Sequence, residues 1–129
     1  MKSNIKKLKD VAQSVYSTLG SGHSESVYDE AMQIGLRLAK IKYESQRVVP
    51  LRYKDHHVGE GYLDLITSFG KNKVILELKA VGGALGPAEE QQIKTYMKII
   101  GVKHGLLVNF QAPKKEGKSK IEFKEIVLR

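Results

Sequence analysis

The chain lacks cysteine, and this absence excludes several kinds of site. Without cysteine there is no disulfide scaffold, no cysteine-ligated zinc and no thiol nucleophile. Histidine is sparse as well. The four histidines are scattered, without the spacing of a metal-binding motif, at His23, His56, His57 and His104.

Long hydrophobic runs are also missing. The apolar stretches fall far short of the roughly 20 residues that a membrane-spanning helix needs, and the N-terminus has no apolar signal core. We therefore expect a soluble, intracellular protein with no membrane partner. At 129 residues the chain is long enough for one hydrophobic core and too short for two, which predicts a single domain over residues 1–129.

Acidic residues are outnumbered, with 14 Asp and Glu against 22 Lys and Arg, for a formal net charge of +8. Residues 1–10 carry four Lys and one Asp, and residues 112–129 carry five Lys, one Arg and three Glu. Basic ends around a nearly neutral middle indicate a polyanionic partner, most simply nucleic acid. The alternative is that these lysines are only solvated.

Hydrophobic periodicity predicts two N-terminal helices. The first covers residues 3–19 and ends at Gly20-Ser21-Gly22. The second starts after Ser24, a suitable N-cap, and runs to about Lys40. Its apolar residues form one stripe with a second group beside it: Val27, Ala31, Ile34 and Leu38, flanked by Tyr28, Met32 and Gly35.

Five strands are predicted from alternating or continuous apolar runs. Pro50 argues for an edge strand or a bulge. Asp55-His56-His57 and Gly70-Lys71-Asn72 have the composition of turns, so the first three strands should form an antiparallel meander. The predicted strands cover residues 44–54, 58–69, 73–81, 104–110 and 120–128.

A third helix is predicted between the third and fourth strands. It begins at Pro87, runs to about Ile100 and ends at Gly101. A Lys-rich loop at 111–119 precedes the last strand. The resulting order, α-α-β-β-β-α-β-β, is typical of an α/β fold with a mixed central sheet.

Three charged residues interrupt strands that are otherwise suited to burial: Asp64, Glu77 and Lys79. A desolvated ion costs several kcal/mol unless it is paired, hydrogen-bonded or metal-bound. Alternation puts Glu77 and Lys79 on one face of their strand, and Asp64 on the neighbouring strand could reach the same place. Two carboxylates and an ammonium group at one point of a sheet predict a metal site with catalytic capacity.

This combination suits the hydrolysis of a phosphodiester. Carboxylate oxygens bind Mg²⁺ (or Mn²⁺), which polarises a phosphoryl oxygen and lowers the pKa of a bound water. A neighbouring lysine can orient that water or offset charge in the transition state.

The ordered set of motifs resembles the PD-(D/E)XK nuclease superfamily, with a restriction-endonuclease-like core, and within it the group called GxxExxY proteins. The matching stretches are Gly22–Tyr28 (GHSESVY), Gly59–Asp64 (GEGYLD), Val74–Val81 (VILELKAV), Gln92 with Tyr96, and Gly105–Phe110 (GLLVNF). The layout is also similar to that of archaeal Holliday-junction resolvases. Residue 63 departs from the superfamily pattern, since it is Leu where the name has Pro.

The resemblance implies roles for the matching residues. Asp64 and Glu77 would be metal ligands and Lys79 the catalytic lysine. Glu25, early in the second helix, would complete the acidic cluster. The helix after the loop would bring Gln92 and, on the same face, Tyr96 to the site; Tyr28 is a further candidate. The helices of Glu25 and Gln92 are expected to close over the same face of the sheet.

Other interpretations of these residues stay open. Glu25 can serve only to favour a helix N-terminus. Tyr28 can be a core residue and Gly22 a permissive turn. Glu77 and Lys79 can pair with each other on an exposed face.

The function that the resemblance implies is a Mg²⁺- or Mn²⁺-dependent nuclease acting on DNA. A chain this small should recognise structure or backbone rather than sequence, and two copies could pair so that two sites meet two strands. The alternatives are a non-catalytic nucleic-acid-binding or packaging protein that keeps the fold, and an interaction module.

Overall fold

The computed structural model describes residues 1–111 and 120–129, in which three helices and five strands follow the predicted order. Residues 112–119, most of the predicted Lys-rich loop, lie outside this description. The elements are α1 Lys2–Leu19, α2 Glu25–Leu38, β1 Lys42–Tyr53, β2 His56–Phe69, β3 Asn72–Lys79, α3 Pro87–Ile100, β4 His104–Phe110 and β5 Ile121–Val127. No helix among the described residues is long and apolar enough to cross a membrane.

The strands form one mixed sheet in the order β1-β2-β3-β4-β5. β1, β2 and β3 pair antiparallel, which confirms the predicted meander. β4 is parallel to β3, because α3 carries the chain back across the sheet, and β5 is antiparallel to β4. Pro50 lies in β1, an edge strand, where its missing N–H group is tolerated.

The helices lie on both faces of the sheet. α1 and α2 share one apolar cluster with Leu76 and Leu106, whereas α3 shares another with Ile75 and Leu107. α1 and α2 approach closely at Gly35, where a Cβ atom would lie 2.7 Å from a methyl group of Val11. The middle of the sheet is therefore buried on both sides.

The row of α2 that packs on the sheet combines Tyr28 and Met32 from the second predicted group with Leu36, which belonged to neither group. Tyr28, Met32 and Leu36 are buried. The first stripe remains partly or largely exposed, with exposed fractions of 40%, 50% and 79% at Val27, Ile34 and Leu38.

The turn between β1 and β2 consists of Lys54 and Asp55, with φ of 46° and 66°. Two successive positive φ angles give the tight hairpin turn whose twist matches the strands. His56 and His57 therefore pair with Tyr53 and Arg52 inside the ribbon. The prediction that the two histidines belong to the turn was wrong.

Candidate active site

The centre of the candidate site is an opening between β2 and β3, which we call the fork. Backbone pairing of these strands ends at Leu65 and Leu76, and Asp64 and Glu77 are the next residues. Oε1 of Glu77 accepts a hydrogen bond from the backbone N–H of Asp64 at 3.1 Å. Oδ2 of Asp64 accepts one from the backbone N–H of Leu78 at 2.8 Å. The two carboxylates thus occupy the gap that further backbone bonds would close.

The fork is an unfavourable place for two negative charges. Burial, reinforced by the charge of Asp64, raises the pKa of Glu77 to about 8. Burial also raises the pKa of Asp64. The hydrogen bond from the backbone N–H of Leu78 acts in the opposite direction but is the smaller effect. Without a cation, Glu77 therefore holds a proton at neutral pH. A bound cation would take the place of that proton and stabilise both carboxylates.

Lys79 lies at the same end of β3 and is half-buried. Its charge acts to lower the pKa values of Asp64 and Glu77, so it belongs to the same electrostatic cluster. Among the described residues it forms no ion pair within 4.0 Å. Glu77 is only 4% exposed. The alternative that Glu77 and Lys79 pair on an exposed sheet face is therefore wrong.

Glu25 begins α2 and is exposed. Its charge raises the pKa values of both fork carboxylates, so it lies within electrostatic reach of them. It borders a cavity of about 480 Å³ that also contacts Asp64 and Asp29. Asp29 was missed in the sequence, although it follows Glu25 by four residues and so shares its helix face.

The donors of the fork fit a hard cation. In the described part of the chain, no three carboxylate or histidine side chains are close enough to hold one metal ion. Mg²⁺, however, commonly binds through one or two carboxylates and keeps several waters. Asp64 and Glu77 meet that requirement with oxygen donors alone, and the role of Glu25 as a third ligand stays a prediction.

Gln92 and Tyr96 lie on α3, across the sheet from α2. The prediction that the helices of Glu25 and Gln92 close over the same face was wrong, because the crossover places α3 on the other side. Gln92 is exposed, and Tyr96 is partly buried against Gly61, where its hydroxyl and ring occupy the space of a Cβ atom. Their site roles stay predictions.

Tyr28 is fully buried behind the loop that leads into α2. Its hydroxyl donates to the carbonyl of Gly20 at 2.6 Å and accepts from the N–H of His23 at 3.4 Å. Its ring stacks on Phe110, with centroids 4.4 Å apart and planes 4° from parallel. These contacts favour the interpretation of Tyr28 as a core residue that fixes the loop before Glu25, in which Gly22 has a φ of 98°.

A polar pair on β4 and β5, formed by buried Asn109 and half-buried Glu122, was also missed. Asn109 and Glu122 face each other across the strands. The Asn109 side chain accepts from the N–H of Val81 at 3.0 Å and donates to the carbonyl of Gly83 at 3.0 Å. The Glu122 carboxylate accepts from the N–H of Leu85 at 3.0 Å. The pair therefore fixes the segment that links Lys79 to α3.

The comparisons with known proteins agree with this fold. A family model described as the PD-(D/E)XK nuclease superfamily matches residues 2–121. A crystal structure of SSO0001 is similar with a TM-score of 0.58 and 15% sequence identity, covering 79% of this chain and 48% of that one. The chain thus spans about half the length of that structure, and at this identity the likeness concerns the fold alone. No curated protein matches the chain.

Proposed function

The chain belongs to the PD-(D/E)XK nuclease superfamily, and on that premise we propose that it is a metal-dependent nuclease that hydrolyses phosphodiester bonds in DNA. The observation that carries the proposal is the fork. There the carboxylates of Asp64 and Glu77 each accept a hydrogen bond from the other's strand, with Lys79 in the same electrostatic cluster.

Each residue of the fork has a role in this proposal. Asp64 and Glu77 would hold Mg²⁺ or Mn²⁺, and Glu25 would add negative charge from the start of α2. The ion would supply a polarised phosphoryl oxygen and a water of lowered pKa. Lys79, which has no ion pair among the described residues, would bind a phosphate oxygen or offset charge in the transition state.

Recognition in this proposal depends on nucleic-acid structure and backbone. Among the described elements, all three helices pack against the sheet, so none of them is free to enter a groove and contact many base edges. We further propose that the chain is intracellular, that it belongs to the GxxExxY group and that two copies pair so that two forks act on two strands. Light scattering with and without a duplex tests the pairing.

A second candidate function is non-catalytic binding of nucleic acid. The observation in its favour is that the described residues contain no cluster of three potential metal ligands. A fork that no longer holds an ion would leave Glu77 protonated, which is compatible with a retained fold and lost catalysis.

A cleavage panel separates the two functions. Plasmid, single-stranded, branched and RNA substrates are incubated with Mg²⁺, Mn²⁺ or EDTA and the wild type, Glu77→Ala, Lys79→Ala or Lys98→Ala. Lys98 is an exposed lysine on α3 and serves as the matched control. A nuclease cleaves DNA only with metal and loses at least about 100-fold in rate in the first two variants. Absence of cleavage with every metal would favour the binding function.

A further inference from the structure

The hairpin of β1 and β2 extends beyond the rest of the sheet. β3 pairs with β2 only from Leu65 onward, so residues 47–62 form a two-stranded ribbon, which we call the arm. α3 covers one side of the arm, where Val49 is fully buried and Tyr96 packs against Gly61. The arm thus has one covered face and one open face.

The open face carries large apolar side chains. Val48 and Tyr62 pair directly across the strands, so their side chains lie next to each other on this face. Their exposed fractions are 42% and 53%, and Val58, nearer the tip on the same face, is 63% exposed. Such a group of exposed side chains indicates a binding surface.

Positive charges are interleaved with these side chains. The arm carries Arg52 and Lys54 near its tip, together with Asp55 and Glu60, whereas Arg47 at its base is paired with Glu44 at 3.3 Å. The ammonium group of Lys54 lies 5.4 Å from the centroid of the Tyr53 ring. Arg52 is exposed and forms no ion pair within the described part of the chain. Aromatic rings alternating with cations are the composition of a surface that binds single-stranded nucleic acid.

The open face leads directly to the fork. Tyr62 precedes Asp64 by two residues on β2, a distance of roughly 7 Å along a strand. Because side chains alternate along a strand, both point to the same side of the sheet, the side of the cavity that Glu25, Asp29 and Asp64 border. A base stacked on Tyr62 would therefore hold the neighbouring phosphodiester near the carboxylates.

We infer that the arm binds unpaired nucleotides, with Tyr62 as the stacking residue beside the fork and Arg52 and Lys54 as phosphate contacts. This inference rests on the proposed function for its substrate, but it concerns binding and can be tested without cleavage. It assigns single-stranded or locally unpaired nucleic acid as the preferred substrate class.

The test is fluorescence anisotropy in EDTA with a labelled oligothymidylate and a labelled blunt duplex. Loss of base stacking in Tyr62→Ala should weaken binding of the oligothymidylate about 5- to 150-fold. Tyr62→Phe, which keeps the ring and loses only the hydroxyl bond to Glu60, should bind like the wild type. Leu38→Ala, which shortens an exposed apolar side chain on α2, is the matched control and should change nothing.

The outcomes separate the inference from the proposed function. Unchanged oligothymidylate binding by Tyr62→Ala, or equal losses for single strand and duplex, overturns the stacking role even if the wild type cleaves DNA. A selective loss without any cleavage by the wild type supports the arm and contradicts the nuclease. Circular dichroism verifies that Tyr62→Ala remains folded.

Discussion

Glu77 combines two properties that conflict in a metal-free protein. It is buried at a position that interrupts an apolar strand, and its carboxyl group faces another carboxyl group across the fork. The energetic cost of burying the ionised carboxylate is reflected in the pKa of Glu77, which burial raises to about 8. A residue selected only for stability would be apolar here, so the conflict itself favours a role in cation binding.

The raised pKa predicts how stability depends on pH in the metal-free protein. Between the ordinary value of 4.5 and about 8, folded Glu77 keeps a proton that the unfolded chain releases. The free energy of unfolding should therefore fall as pH rises through this window, with the full loss above about 8. Each unit of pKa shift corresponds to about 1.36 kcal/mol, so the loss should amount to a few kcal/mol.

Glu77→Gln tests this dependence because glutamine carries no charge at any of these pH values. Urea unfolding of both proteins at pH 5 and pH 9 in EDTA should give similar stabilities at the lower pH and a more stable variant at the higher pH. Equal slopes against pH for the two proteins would show that Glu77 is not the buried titrating group.

The sequence allowed the prediction of Asp64, Glu77 and Lys79 because charged residues inside apolar strands are costly. It did not reveal the fork, because the point at which two strands separate depends on the twist of the whole sheet. Nor did it identify Asp29, since an acidic residue in the first turns of a helix has an ordinary explanation in the helix dipole.

At the scale of elements, the segment between β3 and α3 depends on the pair Asn109 and Glu122. Asn109→Leu would keep the approximate volume but leave the N–H of Val81 and the carbonyl of Gly83 without their partner. Val81 is half-buried and Gly83 is exposed, so water can replace part of these bonds and the cost should lie near the lower end of the usual range, about 1 kcal/mol. We expect a destabilised protein and faster hydrogen exchange at the amides of Val81 and Leu85.

Glu122→Gln is the control for that prediction, because glutamine keeps an acceptor for the N–H of Leu85. It should exchange at nearly the wild-type rate. If Asn109→Leu also exchanges like the wild type, the segment is held by the apolar contacts of Leu85 rather than by the polar pair.

The helices and strands were predictable where one periodicity dominated, as in α1 and α3. In α2 both candidate rows are apolar, and only packing against Leu76 and its neighbours decides that Tyr28, Met32 and Leu36 lie inward. At the tip of the hairpin, positive φ angles fall on Lys54 and Asp55 rather than on glycine, so composition indicated a turn around Asp55 but did not show that it begins at Lys54 and ends before His56.

At the scale of the whole molecule, the basic N-terminal segment lies away from the fork. Lys7 borders the groove at the C-terminal end of α2 together with Lys40, whereas Glu25 is at the other end of this 14-residue helix, roughly 20 Å away. Lys6 and Lys9 are also paired, with Asp10 at 2.9 Å and Glu125 at 3.0 Å.

This charge distribution predicts which lysines and arginines control salt-dependent binding. Arg52→Ala combined with Lys54→Ala should reduce the slope of log affinity against log salt for a single strand by about 0.7 per lost phosphate contact. Lys7→Ala should leave the slope unchanged. A larger effect of Lys7→Ala would place the nucleic acid along α1 instead of along the arm.

The most direct test of the fork as a metal centre is a calorimetric titration of the protein with Mn²⁺ in the absence of nucleic acid. Wild type and Asp10→Asn, which removes a distant carboxylate on α1, should bind the ion with equal affinity. Glu77→Gln should bind at least about 10-fold more weakly, while Lys79→Ala should keep the ion because it removes no ligand. Equal Mn²⁺ affinity of Glu77→Gln and wild type would contradict the assignment of Asp64 and Glu77 as the metal ligands.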